Sequence, residues 1–164
     1  MAIKKIVKIW DEQKLLLNNI QFLKQKTKEI TLTNINSVNI IINDLIDTYK
    51  ATPCAGIASN QIGYNKRVFI GLKKITEDTD EQQIEKEEAN AEQIAGNSNA
   101  DNYEIYINPK IEKTYIESTQ EGSEGCLSIP NILAFRVRYD KIKIRYYDLK
   151  GKKKTKIISG FLSK

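Results

Sequence analysis

The stretch SVNIIINDLIDTYK, residues 37–50, restricts the possible folds more than any other part of the chain. Val38, Ile41, Ile42, Leu45 and Tyr49 recur at the i, i+3, i+4, i+7 spacing of a helix that buries one stripe. Asn36 or Ser37 is the expected cap, and Pro53 the expected stop, because proline lacks the amide proton and fixes φ. Such a stripe needs an apolar partner, and most of the remaining apolar residues alternate with period two. In KIKIRYYDL (141–149), Ile142, Ile144 and Tyr146 interleave with Lys143, Arg145 and Tyr147, the pattern of a half-buried strand. Further strands are expected at 103–111 and 132–139. Residues 58–72 read as strand, turn, strand, with Gly63 to Asn65 in the turn. Part of 11–30 is expected to be helical, with Leu16, Ile20 and Leu23 on one face. KTKIISGFLSK (154–164) reads as a strand that begins a helix. Helices beside antiparallel strands predict an α+β fold.

Between these blocks lies TEDTDEQQIEKEEANAEQIAGNSNADN, residues 76–102. It is polar and nearly free of large apolar groups, so it adds little to a core and is expected to be a disordered loop insertion in a single domain spanning 1–164. It also hides a charge segregation. The net charge is +5, yet residues 77–101 hold nine acidic residues and one basic, leaving 25 basic against 12 acidic elsewhere. A body that basic suits surface lysines kept for solubility, or a nucleic-acid or ribosomal surface. No sequence-specific nucleic-acid partner is expected. No apolar run approaches a membrane span, and the N-terminal MAIKKIVKIWDEQ interrupts its apolar residues with lysines, so no membrane partner and a cytoplasmic location are expected. Two cysteines, Cys54 and Cys126, cannot build a disulfide framework.

Two glycine-containing segments stand out. CAGIASNQIG (54–63) sets small residues around Gly56 and presents the Gln61 amide. EGCLS (124–128) frames Cys126 with Gly125 and Leu127. Read alone, the first fits tight packing as well as a site. Cys126 alone is compatible with a nucleophile, a metal ligand or a small packed hydrophobe.

Together, in this order, the segments resemble the peptide deformylases. That family carries Gly-x-Gly-Leu-Ala-Ala-x-Gln, then Glu-Gly-Cys-Leu-Ser, then a histidine motif of the form Gln-His-Glu-x-x-x-His on a long helix. The first motif stands here as Cys54-Ala55-Gly56-Ile57-Ala58-Ser59-Asn60-Gln61, with its first glycine replaced by Cys54 and its second small residue by Ser59. The second is intact at 124–128 and continues as Ile129-Pro130. INPKI (107–111) and VRYDKIKIRYYDLKG (137–151) also resemble deformylase segments. The resemblance implies removal of the formyl group from N-formylmethionyl peptides by a metal-bound water, with divalent iron, zinc or nickel as the cofactor. It assigns Cys126 as a metal ligand, and Gln61 and the Leu127 N–H as oxyanion donors. Gly56 and Gly125 would offer backbone to the substrate, and Glu124 would pair with Arg138. Leu133 stands where the family commonly has arginine.

The third motif has no counterpart in these residues: SGFLSK (159–164) matches its lead-in, and the sequence contains no histidine. The domain is therefore expected to be incomplete and only marginally stable. No cofactor is expected for this chain, since one cysteine falls short of the three protein ligands of an open site. The expected function is that of an inactive deformylase-like protein. The alternative is a non-catalytic protein that binds peptides or the ribosome. A thiol enzyme built on Cys126 ranks last, because no histidine serves as its base.

Overall fold

The computed structural model describes residues 2–12, 14–33, 38–73 and 101–163. The expected caps Asn36 and Ser37, and nearly all of the acidic insertion, lie outside the described residues. The apolar stripe forms helix α2, Asn39–Lys50, with Ile41, Ile42, Leu45 and Tyr49 buried. A shorter helix α1, Leu17–Lys24, follows a minimal hairpin of β1 (Trp10–Asp11) and β2 (Lys14–Leu15); α1 buries no residue fully.

The remaining strands divide into a five-stranded sheet and a separate hairpin. β3 (Gly56–Ala58), β4 (Val68–Leu72), β5 (Tyr103–Thr114), β8 (Lys141–Tyr147) and β9 (Lys153–Ser159) are neighbours in that order, every pairing antiparallel. β6 (Thr119–Cys126) and β7 (Ile129–Tyr139) pair only with each other. Two helices against antiparallel sheets make this an α+β fold, and Ile142, Ile144 and Tyr146 are buried as their alternation predicts.

α2 covers the β3–β4–β5 end of the sheet. Leu45, Tyr49, Ile57, Ile70 and Ile107 form the centre of that core, each at most 1% exposed. Gly56 is required here by close approach. A Cβ on it would lie 2.9 Å from the Ile70 carbonyl oxygen of β4, a distance real side chains do not tolerate. The opposite sheet face carries a second cluster, in which Phe69 stacks on Tyr106 at 4.5 Å and Tyr106 contacts Tyr146. Glu104 accepts hydrogen bonds there from both tyrosine hydroxyls and from the Lys156 ammonium. Burial drives the Glu104 carboxyl upward, but those donors outweigh it and the net shift is downward.

Two side-chain links that the sequence pattern does not announce fix the N-terminal segment. Asp44, on the helical stripe and only 2% exposed, accepts from Ala2 N–H and the Tyr64 hydroxyl and pairs with Lys4. Asn108 sits at φ 50°, and its amide both accepts from Ile30 N–H and donates to Ile30 O. It thereby completes the hydrogen bonding of a segment that has no strand partner at that point. No helix among the described residues is long and apolar enough to cross a membrane.

Candidate functional site

Gln61 and Cys126 are 65 residues apart in sequence and meet at one end of the molecule. After β3, residues Ser59–Ile62 form a 3-10 turn that ends at Gly63, whose φ of 92° suits a residue without a side chain. This turn replaces the plain strand expected over the first residues of 58–72. Ser59 is fully buried, and its hydroxyl donates to the carbonyls of Tyr64 and Lys66, closing the loop on itself. Gln61 is held at the same turn: its Oε1 accepts from Ala58 N–H at 2.9 Å. With the oxygen occupied, Nε2 is the end of the amide that points outward. It donates to Cys126 Sγ at 3.7 Å, within reach for a sulfur acceptor.

Cys126 is the last residue of β6 and is exposed. The hairpin register shifts between Gly125, opposite Leu133, and Cys126, opposite Ile129. Residues 130–132 are thus extra on β7, and Asn131 takes the left-handed conformation at φ 65°. Such a bulge bends the strand and re-aims its neighbours. Leu127 and Ser128 form the turn between the strands, outside the paired ladder. Glu124 does pair with Arg138, through two hydrogen bonds of 2.7 and 2.9 Å that clamp β6 to β7. Gly125 packs toward Leu133, whose Cδ2 would lie 3.5 Å from an added Cβ.

A cleft of about 560 Å3 opens beside the Gln61–Cys126 pair. Ile9, Ile20, Leu23 and Ile129 give it apolar walls, and Lys24 and Asn60 add polar groups. Helix α1 therefore turns the face of Ile20 and Leu23 toward the site, which the spacing of those residues alone did not reveal. Ser128 also lines the cleft. It is 3% exposed, and its Oγ has no hydrogen-bond partner among the described residues. Position explains why sequence reading missed it: the serine was read only as part of the EGCLS motif.

Of the residues expected to form a site, Gln61 and Cys126 come together; Leu127 packs against the α2 core and Gly125 lies opposite Leu133 in the hairpin. Gly56 sits two residues before the Ser59–Ile62 turn, on an edge strand of the five-stranded sheet. Cys54 is half-buried and packs against the α2 core. The metal implied by the resemblance finds no adequate donor set. Among the described residues no three of His, Cys, Asp and Glu gather, and the carboxylate nearest in sequence to Cys126, Glu124, is engaged by Arg138. One thiol and a primary amide do not fit an open divalent site, which needs three protein ligands. What the site does offer is the Gln61 Nε2 donor beside an apolar cleft, suited to an amide or carboxyl oxygen on a small apolar residue.

A family model for polypeptide deformylase matches residues 4–164. A peptide deformylase from Thermoanaerobacter pseudethanolicus is 30% identical over 154 residues, covering 94% of this chain and 73% of that protein. One from Symbiobacterium thermophilum is 28% identical over 144 residues, and there the chain spans only 54% of its relative's length. Among solved structures, a peptide deformylase from Legionella pneumophila superposes with a TM-score of 0.67 at 26% identity, covering 99% of this chain and 75% of that one. The class I type b peptide deformylase from Acinetobacter baumannii gives 0.71 at 21% identity, with 99% and 88% coverage, a likeness of fold.

Proposed function

The chain belongs to the polypeptide deformylase family, and from that premise we propose that residues 1–164 form a peptide-binding deformylase-like unit that does not by itself remove formyl groups. In this reading Gln61 Nε2 and the Leu127 N–H hold the carbonyl oxygen of an N-formylmethionyl peptide. Gly56 and Gly125 flank its backbone, and the cleft lined by Ile20, Leu23 and Ile129 takes its apolar side chain. The observation that carries the proposal is the Gln61–Cys126 contact, 3.7 Å long, in a sequence of 164 residues with no histidine. The family's reaction draws on a metal-activated water and a general base, and general acid–base catalysis alone contributes about 10²–10⁴-fold. On this reading Gln61 and Leu127 act as carbonyl-binding donors, and residues 1–164 supply no histidine to generate the nucleophile. Cys126 is then a thiol beside a bound carbonyl, not a member of a coordination sphere.

Three measurements on the purified 164-residue chain test this: metal content, formate release and peptide affinity. Metal content is determined after incubation with iron, nickel or zinc salts, and formate release is followed from a formyl-methionyl peptide. The expected result is substoichiometric metal, no release above the uncatalysed background, and a Gln61→Ala variant that binds the peptide more weakly than the parent. Stoichiometric metal accompanied by turnover overturns the proposal, as does equal peptide affinity in parent and variant.

A further inference from the structure

The face of the five-stranded sheet that α2 covers at β3–β4–β5 continues past the helix onto β8, β9 and the last residues of β5. There its chemistry changes. Ile107 pairs with Tyr147 at the covered end, both in or against the α2 core. Six residues further along β5, Lys113 stands directly opposite Lys143. Lys141 lies two residues before Lys143 on the same face of β8, and Tyr115 directly follows the end of β5, two residues after Lys113. The ammoniums of Lys113 and Lys141 both lie over the Tyr115 ring, at 4.6 and 5.1 Å from its centroid. Lys153, opposite Tyr147, extends the stripe, and the exposed Ile157 sits beside Lys143.

Nothing neutralises this cluster. Among the described residues no carboxylate forms an ion pair with Lys113, Lys141, Lys143 or Lys153. Glu112 is paired with Arg145, and Asp140, which accepts from the Ser118 hydroxyl, forms no ion pair with these lysines. Like charges directly opposite each other in a sheet are destabilising. Lysines kept for solubility have no need of such placement, since dispersed positions serve equally well. An arrangement that opposes its own folding is accounted for when a polyanion relieves the repulsion. The aromatic ring under the two ammoniums favours an occupant with both charge and flat faces, and steps of about 6.8 Å along a strand match an extended backbone better than a duplex groove.

We propose that this Lys113–Tyr115–Lys141–Lys143 face binds single-stranded RNA through its phosphates, with a base stacking at Tyr115, independently of sequence. The proposal stands apart from the reading of the Gln61–Cys126 site.

The full 164-residue chain is titrated into a fluorescent uridine oligonucleotide of about 20 nucleotides, followed by anisotropy at several salt concentrations. The parent is expected to bind. The triple variant Lys113→Gln, Lys141→Gln, Lys143→Gln is expected to lose about tenfold or more in affinity, and its slope of log affinity against log salt to fall by about 2, at roughly 0.7 per phosphate contact. A control triple on exposed lysines elsewhere, Lys5→Gln, Lys14→Gln, Lys26→Gln, carries the same charge change and is expected to bind nearly as the parent does. Thermal unfolding separates a site from a damaged fold: removing mutual repulsion leaves the melting temperature equal or higher. If the triple variant fails to fold, Lys143→Gln alone is measured against Lys26→Gln in the same way. Absence of binding by the parent, equal losses in the two variants, or tight binding to phosphatidylserine vesicles that RNA does not displace overturns the proposal.

Discussion

The sheet half under α2 and the β6–β7 hairpin are built on opposite terms, and the candidate site joins them. Under α2, twelve buried hydrophobic residues interlock, so that each side chain is held by neighbours on several elements. In the hairpin, Leu133, Phe135 and Val137 lie on one face of β7 and are all more than half exposed. Apart from Leu127, which packs against the α2 core, the hairpin is tied to the rest of the molecule by polar links that include Gln120 to Gly160 O and Ser163 Oγ and Ile9 N–H to Ser128 O. Gln61 stands on the packed half and Cys126 on the hairpin. The amide is held by the Ala58 N–H on a turn whose Ile62 packs into the core, whereas the thiol ends a hairpin tied down largely by hydrogen bonds, each worth about 0.5–1.5 kcal/mol net. The difference locates the adaptable side of the site.

The largest expected break in this contrast comes from paired truncations. Leu45→Ala, at a position with no exposed surface, is expected to lower stability by about 2–5 kcal/mol. Phe135→Ala is expected to change it by less than about 0.5 kcal/mol. Urea unfolding of both variants checks this, and equal losses would mean that the hairpin is packed as tightly as the core.

An intermediate effect concerns pH. Burial pushes the Asp44 carboxyl upward, but the hydrogen bonds from Tyr64, Lys4 and the Ala2 N–H prevail, and it titrates below its ordinary value of 3.8. A depressed carboxyl stabilises the fold above its unfolded-state value, and that contribution disappears as pH falls through the folded one. Asp44→Asn is therefore expected to make the acid decline of stability shallower, without abolishing it, because Glu104 and Asp148 are depressed in the same direction. Denaturation midpoints from pH 7 to pH 2.5 measure the slope; an unchanged slope refutes the assignment.

The smallest effect is expected at the hairpin's own ion pair. Glu124 and Arg138 are both partly exposed, and solvent screens such pairs to about 0–1 kcal/mol. Arg138→Ala should leave global unfolding within about 0.5 kcal/mol of the parent. A drop comparable with Leu45→Ala would show that the clamp holds more than the hairpin.

The same two regions mark how far the sequence could be read. The α2 stripe and the β8 alternation are local, repeated patterns, and the structure places both as expected, with β7 and β5 extended beyond 132–139 and 103–111. Periodicity reports which side of an element is buried, and that suffices where one face packs on a core. Asp44 and Asn108 escaped notice for the complementary reason. Each is a polar residue whose value comes from partners 42 or 78 positions away, a relation no local pattern encodes. Helix α1 was legible as a helix, but its part in the cleft was not, since a face of Ile20 and Leu23 reads as ordinary packing. At Gly56 a small-residue motif pointed to substrate, and the fold shows a steric reason as well, the Ile70 carbonyl.

The extended segment at the start of the chain has one further consequence. Val7 donates to Gln61 O and Ile9 to Ser128 O, so the first ten residues are tied on both sides of the Gln61–Cys126 pair. Polypeptides leave the ribosome N-terminus first. Residues 2–9 therefore meet their anchors in turn as synthesis proceeds: Asp44 for Ala2, Thr48 for Lys4, Gln61 for Val7 and Ser128 for Ile9. The bond from Ile9 to Ser128 is the last of these to become available, and it joins the β6–β7 side of the site to a segment already tied to α2 and to Gln61.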